Sequence, residues 1–280
     1  MIKAKKSLGQ NFLSDASVSR RIVESVSPLR SDLVIEIGPG TGALTGLLVG
    51  RSGFVIAVEI DPRLIEALRN TLAAENLSVI EADALTVNWD DLIARGREWL
   101  RQAGRGGGEP ERVRVVANLP YYISTPIIER LLRVRAGVKD MTLMLQNEVV
   151  DRIASGPGGR EYGYLSVLVQ FYCDAKKLFE VPPSAFRPAP KVRSAVVRLD
   201  VRSRPLVEVG SEEGFLKLVS FAFSQRRKTI ANNLKAASGA LPYRVPIEEG
   251  LRASGVDPRR RAETLSVAEF GALYRALFEG

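Results

Sequence analysis

Short apolar runs that alternate with helical stretches constrain this chain more than any other feature. The first run, Leu33-Val34-Ile35-Glu36-Ile37, closes on Gly38-Pro39-Gly40-Thr41-Gly42, and helical character resumes over 43–49. The second, Phe54-Val55-Ile56-Ala57-Val58, ends at Glu59, and Pro62 then stands where a helix begins. Val79-Ile80 forms a third run ending near Asp83, 113–117 a fourth ending at Asn118, and 141–145 a fifth. Strands alternating with helices imply right-handed crossovers and a mostly parallel sheet, hence an α/β fold. The stretch 192–199 alternates with period two and reads as a later, antiparallel strand of the same sheet. Ahead of them all, 14–26 has a helical rhythm, with Val18, Ile22, Val23 and Val26 on one face.

After about residue 204 the strand signals stop. Ser211 is placed to cap a helix carrying Phe215, Leu218, Val219 and Ala222. Ser266-Val267-Ala268-Glu269 reads as a capping box, with Leu265 and Phe270 as its hydrophobic staple. The expected organisation is a main domain over 1–204 and a small all-helical domain over 205–280. Residues 103–110, with three consecutive glycines, and 156–159 read as surface loops.

Composition removes several chemistries. The 280 residues include no His and one Cys, Cys173. Ser-His-Asp and Cys-His catalysis are therefore absent, and so are His-ligated zinc and an intramolecular disulfide. A single thiol suits a reducing compartment, and no apolar run reaches the roughly 18 residues of a membrane span. The expectation is a cytoplasmic protein. The net charge of +8 points to a polyanionic partner. Arg226-Arg227-Lys228 reads as part of a helical stretch and Arg259-Arg260-Arg261 as a turn before the last helix. With Lys3, Lys5 and Lys6 they are candidate phosphate contacts.

In open α/β sheets, ligands bind at the carboxyl ends of the strands. Glu59, Asp83 and Asn118 fall at three such ends, and the glycine turn at another. A dinucleotide fold uses Gly-x-Gly-x-x-Gly to rest a pyrophosphate on a helix N-terminus. Here the third glycine comes one residue early, and an acid, Glu36, precedes the first by two positions. That variant suits S-adenosylmethionine, which lacks phosphate and carries positive sulfonium and amino groups. Glu59 would accept from the ribose hydroxyls and Asp83 from the adenine amine. A nicotinamide cofactor is the alternative.

Asn118-Leu119-Pro120-Tyr121 follows the fourth strand. An exocyclic adenine amine is a poor nucleophile, because its lone pair is delocalised into the ring. The Asn118 amide oxygen and the Leu119 carbonyl can accept its two N–H bonds and aim that lone pair at a methyl group. Pro120 stiffens the turn, and Tyr121 offers a face on which an extruded base stacks. No titrating general base is required, in keeping with a chain that lacks His.

Together these motifs resemble the ribosomal RNA adenine dimethyltransferases, most closely those of the bacterial small subunit. The likeness runs along nearly the whole chain. Gly9-Gln10-Asn11-Phe12-Leu13 is similar to the family's opening motif. Met144-Leu145-Gln146-Asn147-Glu148-Val149-Val150 and Tyr162-Gly163-Tyr164-Leu165-Ser166 are similar to later blocks. So are Val181-Pro182-Pro183-Ser184-Ala185-Phe186-Arg187-Pro188 and the following Lys191-Val192-Arg193-Ser194. Gln225-Arg226-Arg227-Lys228-Thr229 and Arg261-Ala262-Glu263-Thr264-Leu265-Ser266 match in the helical part.

The resemblance implies a Rossmann-like S-adenosylmethionine-dependent methyltransferase fold without a metal. It implies a donor site of Gln10, Asn11, Leu13, Glu36, Gly38, Gly40, Gly42, Glu59, Ile60, Asp83, Ala84 and Asn118. It implies a catalytic set of Asn118, Leu119, Pro120, Tyr121 and Phe186, with Phe186 as the second face of a base sandwich. Arg187, Lys191, Arg226, Arg227 and Lys228 would contact RNA. The implied reaction dimethylates N6 of two adjacent adenosines in the hairpin loop near the 3′ end of 16S rRNA. The implied partner is the assembling small subunit, approached by a monomer.

Three features depart from the family pattern: Tyr122 where Asn is frequent, Asn147 where Lys or Arg usually leads its block, and a longer 97–110 stretch. Two other readings share the motifs. One is a large-subunit enzyme of the macrolide-resistance type. The other is a non-catalytic RNA-binding factor derived from the fold.

Overall fold

The structure, a computed structural model, describes residues 2–5, 8–104 and 112–279. Lys6 and the triple glycine of 103–110 lie outside the described residues. The chain divides into two compact units, Met1–Val150 with Lys176–Val201, and Asp151–Ala175 with Arg202–Gly280.

The first unit follows the alternation of the sequence. Its elements run β1 (Phe12–Leu13), α1 (Ala16–Val26), β2 (Leu33–Ile37), α2 (Thr45–Val49), β3 (Phe54–Glu59), α3 (Pro62–Thr71) and β4 (Leu77–Glu81). Then come α4 (Trp89–Gln102), β5 (Val113–Asn118), α5 (Ser124–Arg133), β6 (Val138–Gln146) and α6 (Asn147–Ala154). After α7 (Tyr164–Tyr172) the chain forms β7 (Cys173–Val181), β8 (Phe186–Arg187) and β9 (Ser194–Val201). Among the described residues seven strands make one sheet, ordered β4-β3-β2-β5-β6-β9-β7, and β1 pairs with β8.

β4, β3, β2, β5 and β6 pair in parallel, and β9 runs antiparallel to β6, as its alternation predicts. Every residue of β2 and β3 is buried, which suits parallel strands covered on both faces. Each buried Val, Leu or Ile adds about 1.5–3 kcal/mol of hydrophobic stabilisation. The chain runs from β2 outward to β4, then returns to β5 on the other side of β2. That reversal opens a crevice at the carboxyl ends of β2 and β5.

Charges sit near the opposite ends of these strands. Arg114, on β5, donates from Nε to Asp32 at 2.7 Å and from Nη1 to Asp140 at 2.6 Å. Its Nη1 also donates to the Val26 carbonyl at 3.0 Å. Arg198 adds a 3.0 Å bond to Asp140. Burial pushes the Asp140 carboxyl up, and Arg114 and Arg198 draw it back down.

The second unit is helical: α8 (Glu212–Ala222), α9 (Ile230–Ala236), α10 (Ile247–Ala253) and α11 (Val267–Phe278) join α7. Ser211 accepts from the Gly214 N–H, and Ser266 and Glu269 form the predicted capping box. Residues 151–175, which the sequence placed with the first domain, belong here. The reason is packing: Phe171 of α7 stacks on Phe215 of α8 with centroids 4.5 Å apart, and Leu206 N donates to Phe171 O at 2.8 Å.

A second expectation is corrected. Arg226-Arg227-Lys228 forms a turn, not a helix. Lys228 N closes it on Gln225 O, and Thr229 then caps α9 by accepting from Asn232 N. Arg259-Arg260-Arg261 lies in a turn as expected, but each is paired, with Asp257, Glu269 and Glu263 respectively.

Candidate active site

The glycine turn leaves β2 and forms one wall of a cleft of about 330 Å³. That is within the range of small-molecule sites, about 300–1,000 Å³. Gly38 and Gly40 have φ of +64° and +58°, which L side chains rarely adopt. A Cβ on Gly40 would lie 3.1 Å from the Phe12 ring, whereas one on Gly38 would meet nothing within 4 Å. The turn is thus packed against the N-terminal segment at one glycine and open at the other.

Three acids border this turn. Glu36 is 2% exposed, and its Oε2 has no hydrogen-bond partner among the described residues. Burial pushes its carboxyl up to about 7; Thr45 acts to lower it and Glu59 to raise it. Glu59 Oε1 accepts from the backbone N–H of Ile60 and of Asp61, each at 2.9 Å, and Oε2 from Gly40 N–H at 3.3 Å. Burial raises its carboxyl too, and the three N–H groups oppose that rise. Asp83 Oδ1 accepts from Leu85 N–H at 2.8 Å, which fixes the turn after β4. Ile60 and Ala84 line the same cleft.

Asn118 ends β5 opposite the glycine turn. Leu119 N–H donates to Met144 O at 3.1 Å, and Ile123 N–H to Pro120 O at 3.2 Å, so both ends of the loop are pinned. Asn118 Nδ2 donates to the Asn11 carbonyl at 3.2 Å. The Tyr121 hydroxyl shares a 2.6 Å hydrogen bond with Ser194 Oγ. Burial pushes that phenol up, and Ser194 acts the other way. Asn118, Leu119, Pro120 and Tyr121 all line the cleft, as do Gln10, Asn11 and Leu13.

Gln10 does more than line it. Its Nε2 donates to Asp61 at 3.2 Å, and its Oε1 accepts from Lys5 N–H at 2.8 Å. Asp61 also holds Lys5 Nζ at 3.2 Å and Arg63 Nη2 at 2.6 Å, and caps α3 through Arg63 N–H. The Arg63 guanidinium foremost holds its carboxyl well below the usual carboxylate range. Lys5, expected as a phosphate contact, is engaged here instead.

Phe186 does not line the cleft. It is 2% exposed and packs in a core cluster with Leu13, Met144 and Val196. Its strand β8 pairs with β1 in the register Leu13↔Phe186, and that pairing turns the ring inward. The structure thus places Phe186, expected as the second face of a base sandwich, in the core and outside the cleft lining. Arg187 and Lys191, beside it in sequence, are exposed.

Sequence reasoning missed Asp61 and Ser194. Asp61 gave one local signal, an acid just before Pro62 at a helix start; Ser194 stood in a block similar to the family's, with no sign there that it would hold Tyr121. Among the described residues no three or more His, Cys, Asp or Glu are grouped to hold a metal ion, and no helix is long and apolar enough to cross a membrane.

Residues 1–276 match the family model described as "Ribosomal RNA adenine dimethylase". The chain belongs to the ribosomal RNA adenine dimethylase family. As a member it is a methyltransferase. It is 46% identical over 275 residues to "Ribosomal RNA small subunit methyltransferase A" of Moorella thermoacetica, covering 98% of this chain and 92% of that one. It is 45% identical to the protein of the same name from Geobacillus thermodenitrificans, covering 98% and 90%. Among solved structures, a dimethyladenosine transferase from Plasmodium falciparum superposes with a TM-score of 0.76 at 25% identity, covering 94% of this chain and 95% of that one. The 23S rRNA methyltransferase ErmE superposes at 0.69 with 27% identity, covering 95% and 99%. The Rossmann-like methyltransferase fold with appended helices is common to this adenine dimethylase family member and these two structures.

Proposed function

We propose that this protein uses S-adenosylmethionine to dimethylate N6 of two adjacent adenosines in the hairpin loop near the 3′ end of 16S rRNA. The observation that carries the reading is one cleft in which the Asn118 loop faces the acid-bordered glycine turn. The residues fit the donor. Glu36 Oε2, buried without a partner, suits a cationic amino group. Gly38 leaves room for a ligand against the backbone. Glu59 and Asp83 present acceptors at neighbouring strand ends for ribose hydroxyls and an adenine amine. Gln10, Asn11, Leu13, Gly40, Ile60 and Ala84 complete the wall, whereas Gly42, also expected there, lies outside it, with φ of +86° and a Cβ position that would meet Leu68 and Leu72.

When bound, S-adenosylmethionine supplies a methyl group on a positive sulfur. The protein's part is positioning. The Asn118 amide oxygen and the Leu119 carbonyl accept the two N–H bonds of the adenine amine and localise its lone pair. Tyr121, tied to Ser194, stacks on the base. The proton released afterwards goes to water, so no side chain titrates in the chemical step.

Arg187, Lys191, Arg227 and Lys228 are exposed and meet RNA phosphates. Arg226 donates from Nη2 to Arg160 O at 2.6 Å, so part of its guanidinium holds the turn. The protein acts as a cytoplasmic monomer on the assembling small subunit and takes part in its maturation.

The test uses purified protein, S-adenosylmethionine and ribosomal subunits lacking their adenine marks, with the RNA digested and mapped by mass spectrometry. Dimethyladenosine at two neighbouring positions of small-subunit RNA alone supports the proposal. A large-subunit enzyme is the second reading, favoured by the likeness to ErmE. The higher identity to relatives named for the small subunit weighs against it.

A further inference from the structure

The chain holds 10 Phe, 7 Tyr and 2 Trp. All lie in the described part, and Tyr122 alone among them is exposed. Burial of aromatic rings is the rule, so an exposed ring beside a ligand cleft needs a reason. Tyr122 is 59% exposed and stands at the cleft, in the 3-10 turn Tyr121–Ile123. One ring edge is braced: a Cβ on Gly9 would fall 2.9 Å from its Cδ1 and Cε1, so only glycine there lets the ring lie so close. The rest of the ring faces outward, and its hydroxyl has no partner among the described residues. The neighbouring Tyr121 is the opposite case, half-buried and tied through its hydroxyl to Ser194.

We propose that Tyr122 is the stacking platform for the nucleotide next to the target adenosine, so that two successive tyrosines hold two successive bases. The inference rests on the proposed adenosine dimethylation. When one base leaves its stack for the cleft, its neighbour loses a stacking partner. A braced aromatic face at the cleft mouth replaces that partner without reading sequence. The platform acts on RNA and not on the donor, because the ring is exposed to solvent while Glu36 and Glu59 are buried. Because a π face does not read sequence, it takes whichever nucleotide adjoins the target, which suits a site that must work on both adenosines.

The experiment compares wild type, Tyr122→Ala and Tyr122→Phe on unmethylated small subunits, with donor affinity measured separately by calorimetry. Tyr122→Ala is expected to raise KM for subunits about tenfold, with kcat and donor affinity held. Products singly marked at one adenosine should accumulate. Tyr122→Phe should restore the wild-type KM, since a π face and not a hydroxyl is needed. A wild-type KM and product pattern in Tyr122→Ala would overturn the proposal. Weakened donor binding with an unchanged KM would overturn it as well, and would assign the ring to covering the donor. If wild type itself left small subunits unmarked, the dimethylation reading would fall and this inference with it.

Discussion

Asn118 Nδ2 donates to the main-chain carbonyl of Asn11 at 3.2 Å, joining residues 107 positions apart. The bond decides which amide atom is engaged by the protein and leaves Oδ1 of this cleft-lining residue without a protein partner among the described residues. The N-terminal segment is in turn fastened by Gln10 and Lys5 to Asp61. Asn118→Ala should lower methyl transfer by about 100- to 1,000-fold, the range for removal of one preorganised group that stabilises the transition state. Donor affinity should stay near wild type. Single-turnover transfer together with donor titration checks both; near wild-type transfer would sink the assigned role.

Glu59 collects three backbone N–H groups and keeps its carboxylate at the cleft wall. Glu59→Ala should weaken donor binding by about 10- to 100-fold, as expected from losing hydrogen bonds to a charged acceptor. An unchanged donor dissociation constant, read by calorimetry, would remove Glu59 from the donor site.

Glu36 gives the pH signature. Its folded carboxyl titrates at about 7, above its ordinary value of 4.5. Below the lower value both folded and unfolded states hold the proton, and stability is at its fullest. As pH rises through about 7 that contribution is lost, by about 3 kcal/mol. Glu36→Gln should therefore match wild type at about pH 4 and exceed it at about pH 8 in denaturant unfolding.

Donor binding runs the opposite way, because a cationic ligand favours the ionised acid. Wild-type affinity should fall by up to about tenfold per pH unit below 7. Glu36→Gln should bind weakly, keeping only the slope that Glu59, raised in the same direction, contributes. A wild-type affinity flat between about pH 5.5 and 7 would contradict this.

Arg114 stands between the buried carboxylates of Asp32 and Asp140. Arg114→Met leaves both without their main cation and should destabilise the protein by about 3–5 kcal/mol. Denaturant unfolding measures it. A loss under about 1 kcal/mol would show that water reaches these acids and screens them.

Arg227 and Lys228 are exposed, without side-chain partners among the described residues. Replacing each by Ala should weaken subunit binding and flatten its salt dependence by about 0.7–0.9 in logarithmic slope per lost phosphate contact. Donor affinity is the control. An unaltered slope would mean that this turn does not meet RNA.

What the sequence determined by itself was local. The succession along the chain of strands β2 to β6, the helices after β2 and β3, the glycine turn, the caps at Ser211 and Ser266, and the strand-end acids all follow from periodicities and turn chemistry within a dozen residues. β7 escaped because it closes the sheet as an edge strand, where Asp174, Lys176, Lys177 and Glu180 break the apolar pattern. β1 and β8 are two residues each and exist only because they pair with one another.

Only the tertiary structure decided which distant residues meet. It drew Phe186 into the core, tied Tyr121 to Ser194, set Arg226 in a turn held by Arg160, and made Asp61 the anchor of the N-terminal segment. The physical reason is common to all four. A side chain's chemistry is written in its own position, but its partner is chosen by the packing of elements far apart in the chain, which no local period encodes.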